Sequence, residues 1–128
     1  MNRDELRRSC LRKPGAIEDF PFGEQVSVFK VAGKVFAITD LNGDPLEVSL
    51  KCDPDLGDAM RATHAAIRPG YHLNKRHWNT VTLDGSIADD EITEMIDDSF
   101  DLVAAKLTRA QRDELGLTHE SARRPKPT

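Results

Sequence analysis

Apolar and polar residues alternate strictly over 46–51. Leu46, Val48 and Leu50 fall on one side and Glu47, Ser49 and Lys51 on the other, the period of a strand with one covered face. Just upstream, "QVSVFKV" and "KVFAITD" carry apolar residues of both parities. That predicts strands partly covered on both faces, joined by a hairpin at Ala32-Gly33. Asn42-Gly43 turns the second of these into the third. A fourth strand is predicted in "HWNTVTL", which is rich in β-branched residues and is turned off by Asp84-Gly85. Residues 16–24, "AIEDFPFGE", are broken by Pro21 and Gly23 and read as an extended segment or loop.

Between these stretches the period lengthens to that of a helix. Asn2 with Glu5 three residues on has the form of an N-terminal capping box. The helix it starts turns Leu6, Cys10 and Leu11 inward and stops at "KPG", Lys13 to Gly15. Asp53 as N-cap and Pro54 as first helical residue open a second helix. Its inward stripe is Leu56, Ala59, Met60, Thr63 and Ile67, and Pro69-Gly70 ends it. Residues 89–107 form the third, with Ile92, Met95, Ile96, Ser99, Val103 and Leu107 in i, i+3, i+4, i+7 spacing. Thr108 and Gln111 form another capping box before a short last helix closed by Gly116.

The order is helix, hairpin strands, helix, strand, helices, linked by short turns. It predicts an α+β fold, an antiparallel sheet with helices packed on one face in a two-layer sandwich. The 128 residues fit one domain with a single core, placed at 1–117. The polar, proline-containing tail 118–128 is expected to be disordered. No apolar run approaches the roughly 20 residues needed to span a bilayer. "MNRDELRRSC" has no apolar stretch of the signal-peptide kind. The expectation is a cytoplasmic monomer with no membrane partner. Cys10 and Cys52 read as two reduced, partly buried thiols.

Charge changes the picture locally. The net charge is −4, which argues against a chain coated with nucleic acid. Yet residues 59–83 carry Arg61, Arg68, Lys75 and Arg76 with no acid. Residues 84–101 carry Asp84, Asp89, Asp90, Glu91, Glu94, Asp97, Asp98 and Asp101 with no base. The acid-free window contains "RPGYHLNKRHWNTVTL". Its cations suit phosphate, Asn74, Asn79, Thr80 and Thr82 are neutral donors, and Tyr71 and Trp78 could stack on bases. The alternative is that Trp78 anchors the core, Tyr71 packs at its edge, and the cations are scattered. Arg7, Arg8, Arg12 and Lys13 of the first helix, and Arg123, Arg124 and Lys126 of the tail, could extend such a patch.

Four stretches, "KPGAIEDFPFG", "VFKVAGKVFAI", "LKCDP" and "PGYHLNKRHWNTVTLDG", together resemble the MmcQ/YjbR family of small bacterial proteins, in order and with similar spacing, up to about Leu107. The resemblance implies a CyaY-like α+β fold, distantly like frataxin. That architecture has been compared with a double-wing DNA-binding domain, and members are commonly labelled DNA-binding. On this basis Arg61, Arg68, Tyr71, His72, Asn74, Lys75, Arg76, His77 and Trp78 are the expected nucleic-acid-binding residues, with DNA the expected partner. Frataxins bind metal on an acidic surface chiefly associated with the first helix. Here that helix is basic, so the resemblance does not carry metal binding across.

Other chemistry is weakly signalled. His72 and His77 lie five apart on an extended segment and would point to opposite faces. No H-E-x-x-H or cysteine pairing accompanies them or His64, so no metal set is predicted. A catalytic histidine needs an orienting acid and a nucleophile, which the pattern does not supply. Asp90, Glu94, Asp97 and Asp101 form a stripe that a solvated helix face explains. The glycines are isolated and build no phosphate loop. Gly57 alone, inside a helix, is not accounted for by a turn or a helix end. The pattern therefore calls for no cofactor and no catalytic residue. A DNA-binding module is the leading reading. A protein-interaction adaptor on the same surface, and a small-molecule or metal-binding module, stay open beside it.

Overall fold

The computed structural model describes residues 1–70 and 73–117. The order is α1 (Arg3–Leu11), β1 (Ile17–Asp19), β2 (Ser27–Val31), β3 (Lys34–Thr39), β4 (Glu47–Lys51), α2 (Pro54–Thr63), β5 (Ile67–Pro69), β6 (Trp78–Thr82), α3 (Asp89–Ala104) and α4 (Arg109–Glu114). The strands form one sheet in the order β1-β2-β3-β4-β6-β5, and every neighbouring pair is antiparallel. The fold is thus the expected α+β sandwich.

The helix ends follow their capping chemistry. Both capping boxes form, Asn2 with Glu5 and Thr108 with Gln111. Asp53 caps α2, its side chain accepting from the N–H groups of Asp55 and Leu56, with Pro54 as the first helical residue. The Ala32-Gly33 hairpin places both residues at positive φ, 47° and 79°, the backbone of a two-residue turn whose twist matches its strands.

Two elements differ from the sequence pattern. α2 stops at Thr63, and Ile67 belongs to an edge strand, β5, instead of the helical stripe. The break is at His64, whose extended backbone (φ −122°, ψ 118°) caps the helix. The Ile67 N–H then closes a turn onto the His64 carbonyl, and Ile67 pairs with Val81. A β-branched residue two before a proline suits an edge strand better than a last helical turn. The segment at 16–24 supplies a second edge strand, β1. α3 ends at Ala104, short of Leu107, which is buried in the turn that follows.

The core lies between the sheet and its helices. Phe29, Val31, Phe36, Ala37, Val48, Leu50 and Val81 from the strands meet Leu6 and Cys10 of α1 and Ile92, Ile96, Phe100 and Val103 of α3. Phe36 packs edge-on against Phe100, centroids 5.3 Å apart. It gets there through a bulge: Phe29 pairs with Ala37 and Lys30 with Val35, leaving Phe36 as an extra residue. The β3–β4 ladder runs only through Ala37–Leu50 and Ile38–Ser49. Beyond it the fully buried Ser99 of α3 takes over. Its Oγ donates to the Phe36 carbonyl at 2.5 Å and accepts from the Lys51 N–H at 2.9 Å. One hydroxyl thus satisfies two backbone groups that the bulge leaves unpaired, and it pins α3 over the end of β4.

Candidate functional site

Antiparallel pairing sorts charge along the strands. The start of β3, the end of β4 and the start of β6 share one end of the sheet. Lys34 opens β3. Lys51 closes β4 directly opposite Trp78 of β6. Lys106 follows the C-terminus of α3, where a cation complements the helix dipole. The loop entering β6 adds Lys75 and Arg76. Burial lowers the pKa of Lys51, and the positive charges of Lys106 and Lys34 lower it further, so three ammonium groups crowd together. Among the described residues, none of these five cations has a carboxylate within ion-pair distance. The other end of the sheet gathers Asp40, Asp44, Glu47 and Asp84, and α3 begins there with Asp89, Asp90 and Glu91. Acids are not confined to that end, since Asp53, Asp98 and Asp101 share a cavity lining with Lys51, so the asymmetry along the chain becomes an excess of unpaired cations at one end of the sheet and not a clean separation of charge.

The loop before β6 is tied at several points. The Asn74 side chain accepts from the Arg76 N–H at 3.0 Å, and the Asn74 carbonyl accepts from the His77 N–H at 3.1 Å. The His77 carbonyl accepts from the Cys52 N–H at 2.8 Å, joining the loop to the end of β4. Asn74, Lys75, Arg76 and His77 are exposed at its tip, and Trp78 is half-buried. Gly70 lies against Trp78 so closely that a Cβ would stand 2.7 Å from the Trp78 Cβ. Tyr71 and His72 lie outside the described residues, as do Arg123, Arg124 and Lys126 of the tail.

The remaining two expected cations are elsewhere and engaged. Arg61, on α2 at the helix-covered side, pairs with Asp58 and donates to the Asn79 Oδ1 at 2.5 Å. Arg68 projects from β5 on the face shared with Ser49 and Thr80, and pairs with Glu47. The structure brings together Asn74 to Trp78 and leaves Arg61 and Arg68 on opposite sides of the sheet. Lys34, Lys51 and Lys106 join the loop cations instead. They are far apart in the chain, and only strand pairing makes them neighbours. The usable signal in the sequence was that Lys34 begins, and Lys51 ends, adjacent strands of one meander. Two of the four first-helix cations are also drawn into pairs, Arg7 with Glu18 and Lys13 with Asp97 at 2.9 Å, where Lys13 also caps the Phe100 ring; Arg8 and Arg12 form no ion pair among the described residues.

A cavity of about 330 Å³ opens between α2, α3 and the sheet. Its floor is Leu50, Asn79 and Val81, and its walls are Leu56 and Met60 of α2 and Met95, Leu102 and Ala105 beside α3. Lys51, Cys52, Asp53, Asp98 and Asp101 complete the lining among the described residues. α3 packs on β3 and β4 while α2 packs on β5, so the helices straddle this part of the sheet. Burial raises the Cys52 pKa above its ordinary value, with Arg61 opposing, and burial pushes the Cys10 thiol up to about 12. Both stay protonated and poorly nucleophilic. No three His, Cys, Asp or Glu side chains converge as metal ligands would, among the described residues. Nor is any helix there long and apolar enough to cross a membrane.

Comparison with known proteins gives a consistent result. The family model described as YjbR matches residues 11–102. The protein YjbR of Escherichia coli K12 is 36% identical over 112 residues, covering 88% of this chain and 95% of its own. YbdF of Escherichia coli O157:H7 is 36% identical over 112 residues, covering 87% and 89%. The crystal structure of Deinococcus radiodurans DR2400 superposes with a TM-score of 0.84 at 46% identity, over 91% of this chain and 89% of that one. A Pseudomonas syringae crystal structure gives 0.70 at 32%, over 80% and 99%.

Proposed function

The chain belongs to the YjbR family, and from that premise we propose that it is a non-enzymatic DNA-binding protein that meets the phosphate backbone with the basic end of its sheet. Lys75 and Arg76 at the loop tip are the leading phosphate contacts, with Lys34, Lys51 and Lys106 beside them. Asn74 and His77 supply neutral donors. Trp78 is the aromatic surface next to them. Arg61 and Arg68, held by Asp58 and Glu47, contribute by fixing α2 and β5 more than by touching DNA.

The observation that carries this reading is the set of five cations at one end of the sheet, none of them with a carboxylate within ion-pair distance among the described residues. An acidic protein can bind a polyanion when its charge is segregated, because the near face dominates within a Debye length of about 8–10 Å. The tied loop also supports the reading, since a preordered contact loses little entropy on binding.

The experiment is a binding titration with duplex and single-stranded DNA at several salt concentrations. The wild type is expected to show a log–log salt slope equivalent to about 3–4 phosphates. Lys75→Glu with Arg76→Glu is expected to abolish binding while leaving the thermal unfolding midpoint in place, since both side chains are exposed. No binding to either form of DNA at low salt ends the proposal.

A further inference from the structure

Resting on the nucleic-acid reading above, we infer that the strand this protein takes is single. An unpaired base stacks on Trp78 from the helix-free face of the sheet, and the sugar–phosphate chain crosses that face past Lys51.

The two faces of the sheet are chemically distinct. Phe29, Ala37, Leu50 and Asn79 are register partners in adjacent strands, and their face meets α1, α2 and α3. The residues between them point the other way, onto a face that carries none of those three helices. Lys51 and Trp78 are direct partners there, and such pairs hold their Cβ atoms about 4.5–5.5 Å apart. Val35 of β3 and Ile17 of β1 each pair with Lys30 of β2 on the same face. Ile17, Lys30, Val35, Lys51 and Trp78 thus alternate apolar and basic character across β1 to β6, a span of about 19 Å at the usual strand spacing. Ile17 is left 56% exposed. Lys30 is shared with Asp19 at 2.9 Å, so the phosphate contact beside the ring falls to Lys51.

The indole is accessible to a base. Trp78 is half-buried, and among the described residues no ring and no cation lies on it. On the flank away from Lys51 stands Gly70, whose N–H donates to the Trp78 carbonyl at 2.9 Å. A Cβ there would come within 2.7 Å of the Trp78 Cβ, so the neighbour of the indole is a residue with no side chain to cover it. Stacking on an aromatic side chain needs a base with a free π-face, which a duplex keeps inside its own stack.

Charge sets the path. Two residues along β4 and β6, Ser49 and Thr80 share a hydrogen bond at 2.9 Å. Around them Glu47 holds Arg68, and Asp40 and Asp44 wall the same depression. Carboxylates there repel a phosphate chain, so the strand runs across the sheet at the Lys51–Trp78 end and not along β6.

Trp78 is the only tryptophan, so its fluorescence reports the ring directly. The test is a fluorescence titration of the full chain at low salt with oligothymidylate, oligouridylate, a DNA duplex and an abasic deoxyribose-phosphate strand, all of equal length. Both base-bearing single strands are expected to quench Trp78 and to bind about tenfold more tightly than the duplex. The abasic strand keeps the phosphates and should bind no more tightly than the duplex, without quenching. Trp78→Phe retains a stacking ring and should keep the preference for single strands, whereas Trp78→Leu should lower it about tenfold. Lys51→Met should reduce the single-strand salt slope by about 0.7, the equivalent of one phosphate. The abasic comparison uses the wild-type chain and decides the matter even where a Trp78 variant does not fold. Duplex binding as tight as single-strand binding, or single-strand binding with no change in Trp78 fluorescence, overturns this inference and leaves the basic end as a phosphate contact. Absence of binding to all four ligands overturns both.

Discussion

The sulfur of Cys52 lies directly against the backbone of Gly57: a Cβ on Gly57 would stand 2.7 Å from the Cys52 Sγ. This accounts for a glycine in the interior of α2, where no turn or cap requires one. The β4–α2 connection folds back so tightly that the thiol occupies the space a side chain would use. The same neighbourhood holds Arg61 and Asn79, whose nitrogens would be 3.5 and 3.6 Å from that Cβ.

Gly57→Ala is therefore expected to destabilise the protein by about 1–2 kcal/mol, with overpacking outweighing the gain of about 1 kcal/mol in helix propensity. In a Cys52→Ala background the same change should be neutral or stabilising. Urea unfolding of the four proteins of this double-mutant cycle measures the coupling. Additive effects would mean that the thiol moves aside at no cost.

Ser99 holds both the Phe36 carbonyl and the Lys51 N–H at the point where the β3–β4 ladder stops. Ser99→Ala leaves both without that partner, and each buried orphan costs about 1–3 kcal/mol. The expected loss is about 2–4 kcal/mol by chemical denaturation. Hydrogen exchange at the Lys51 amide should accelerate more than at Leu50, which keeps its strand partner.

Asn79→Ala removes the acceptor of Arg61 and a donor to the Gly57 carbonyl. Because Asn79 is only 2% exposed, the expected cost is about 1–3 kcal/mol.

Glu47 gives a pH dependence. The hydrogen bond from Arg68 holds its carboxyl below the ordinary 4.5, with burial opposing. A lowered folded value means the contribution is complete above 4.5 and is lost as pH falls through the folded value. The Glu47 side chain is 32% exposed and that of Arg68 47%, so the contribution is at most about 1 kcal/mol. Urea midpoints taken from pH 7 down to 3 should fall less steeply in Glu47→Gln than in wild type, with the two curves converging at the acid end.

Local signals predicted what local chemistry controls. The capping boxes at Asn2 and Thr108, the Asp53-Pro54 start of α2, the Ala32-Gly33 hairpin and the alternation of Leu46 to Lys51 all read correctly, because each depends on residues within four or five positions. Ile67 read wrongly, because its spacing continues the α2 stripe while its true partner, Val81, is fourteen residues away. β1 and β5 are three residues each, too short to show a period, and they exist only because β2 and β6 offer them an edge.

Residue order and type were enough for an α+β sandwich, its turns and caps, and a chain whose charges are unevenly spread. Pairing across the sheet then decided which cations stand together: it joined Lys34 and Lys51 with Lys75 and Arg76, and it turned Arg61 and Arg68 toward Asp58 and Glu47. The cavity between α2 and α3 belongs to that second level as well. Coulomb energy and excluded volume depend on distance in space, and the distances from Lys34 to Lys106 or from Leu56 to Leu102 are set by long-range strand and helix packing that no short window contains.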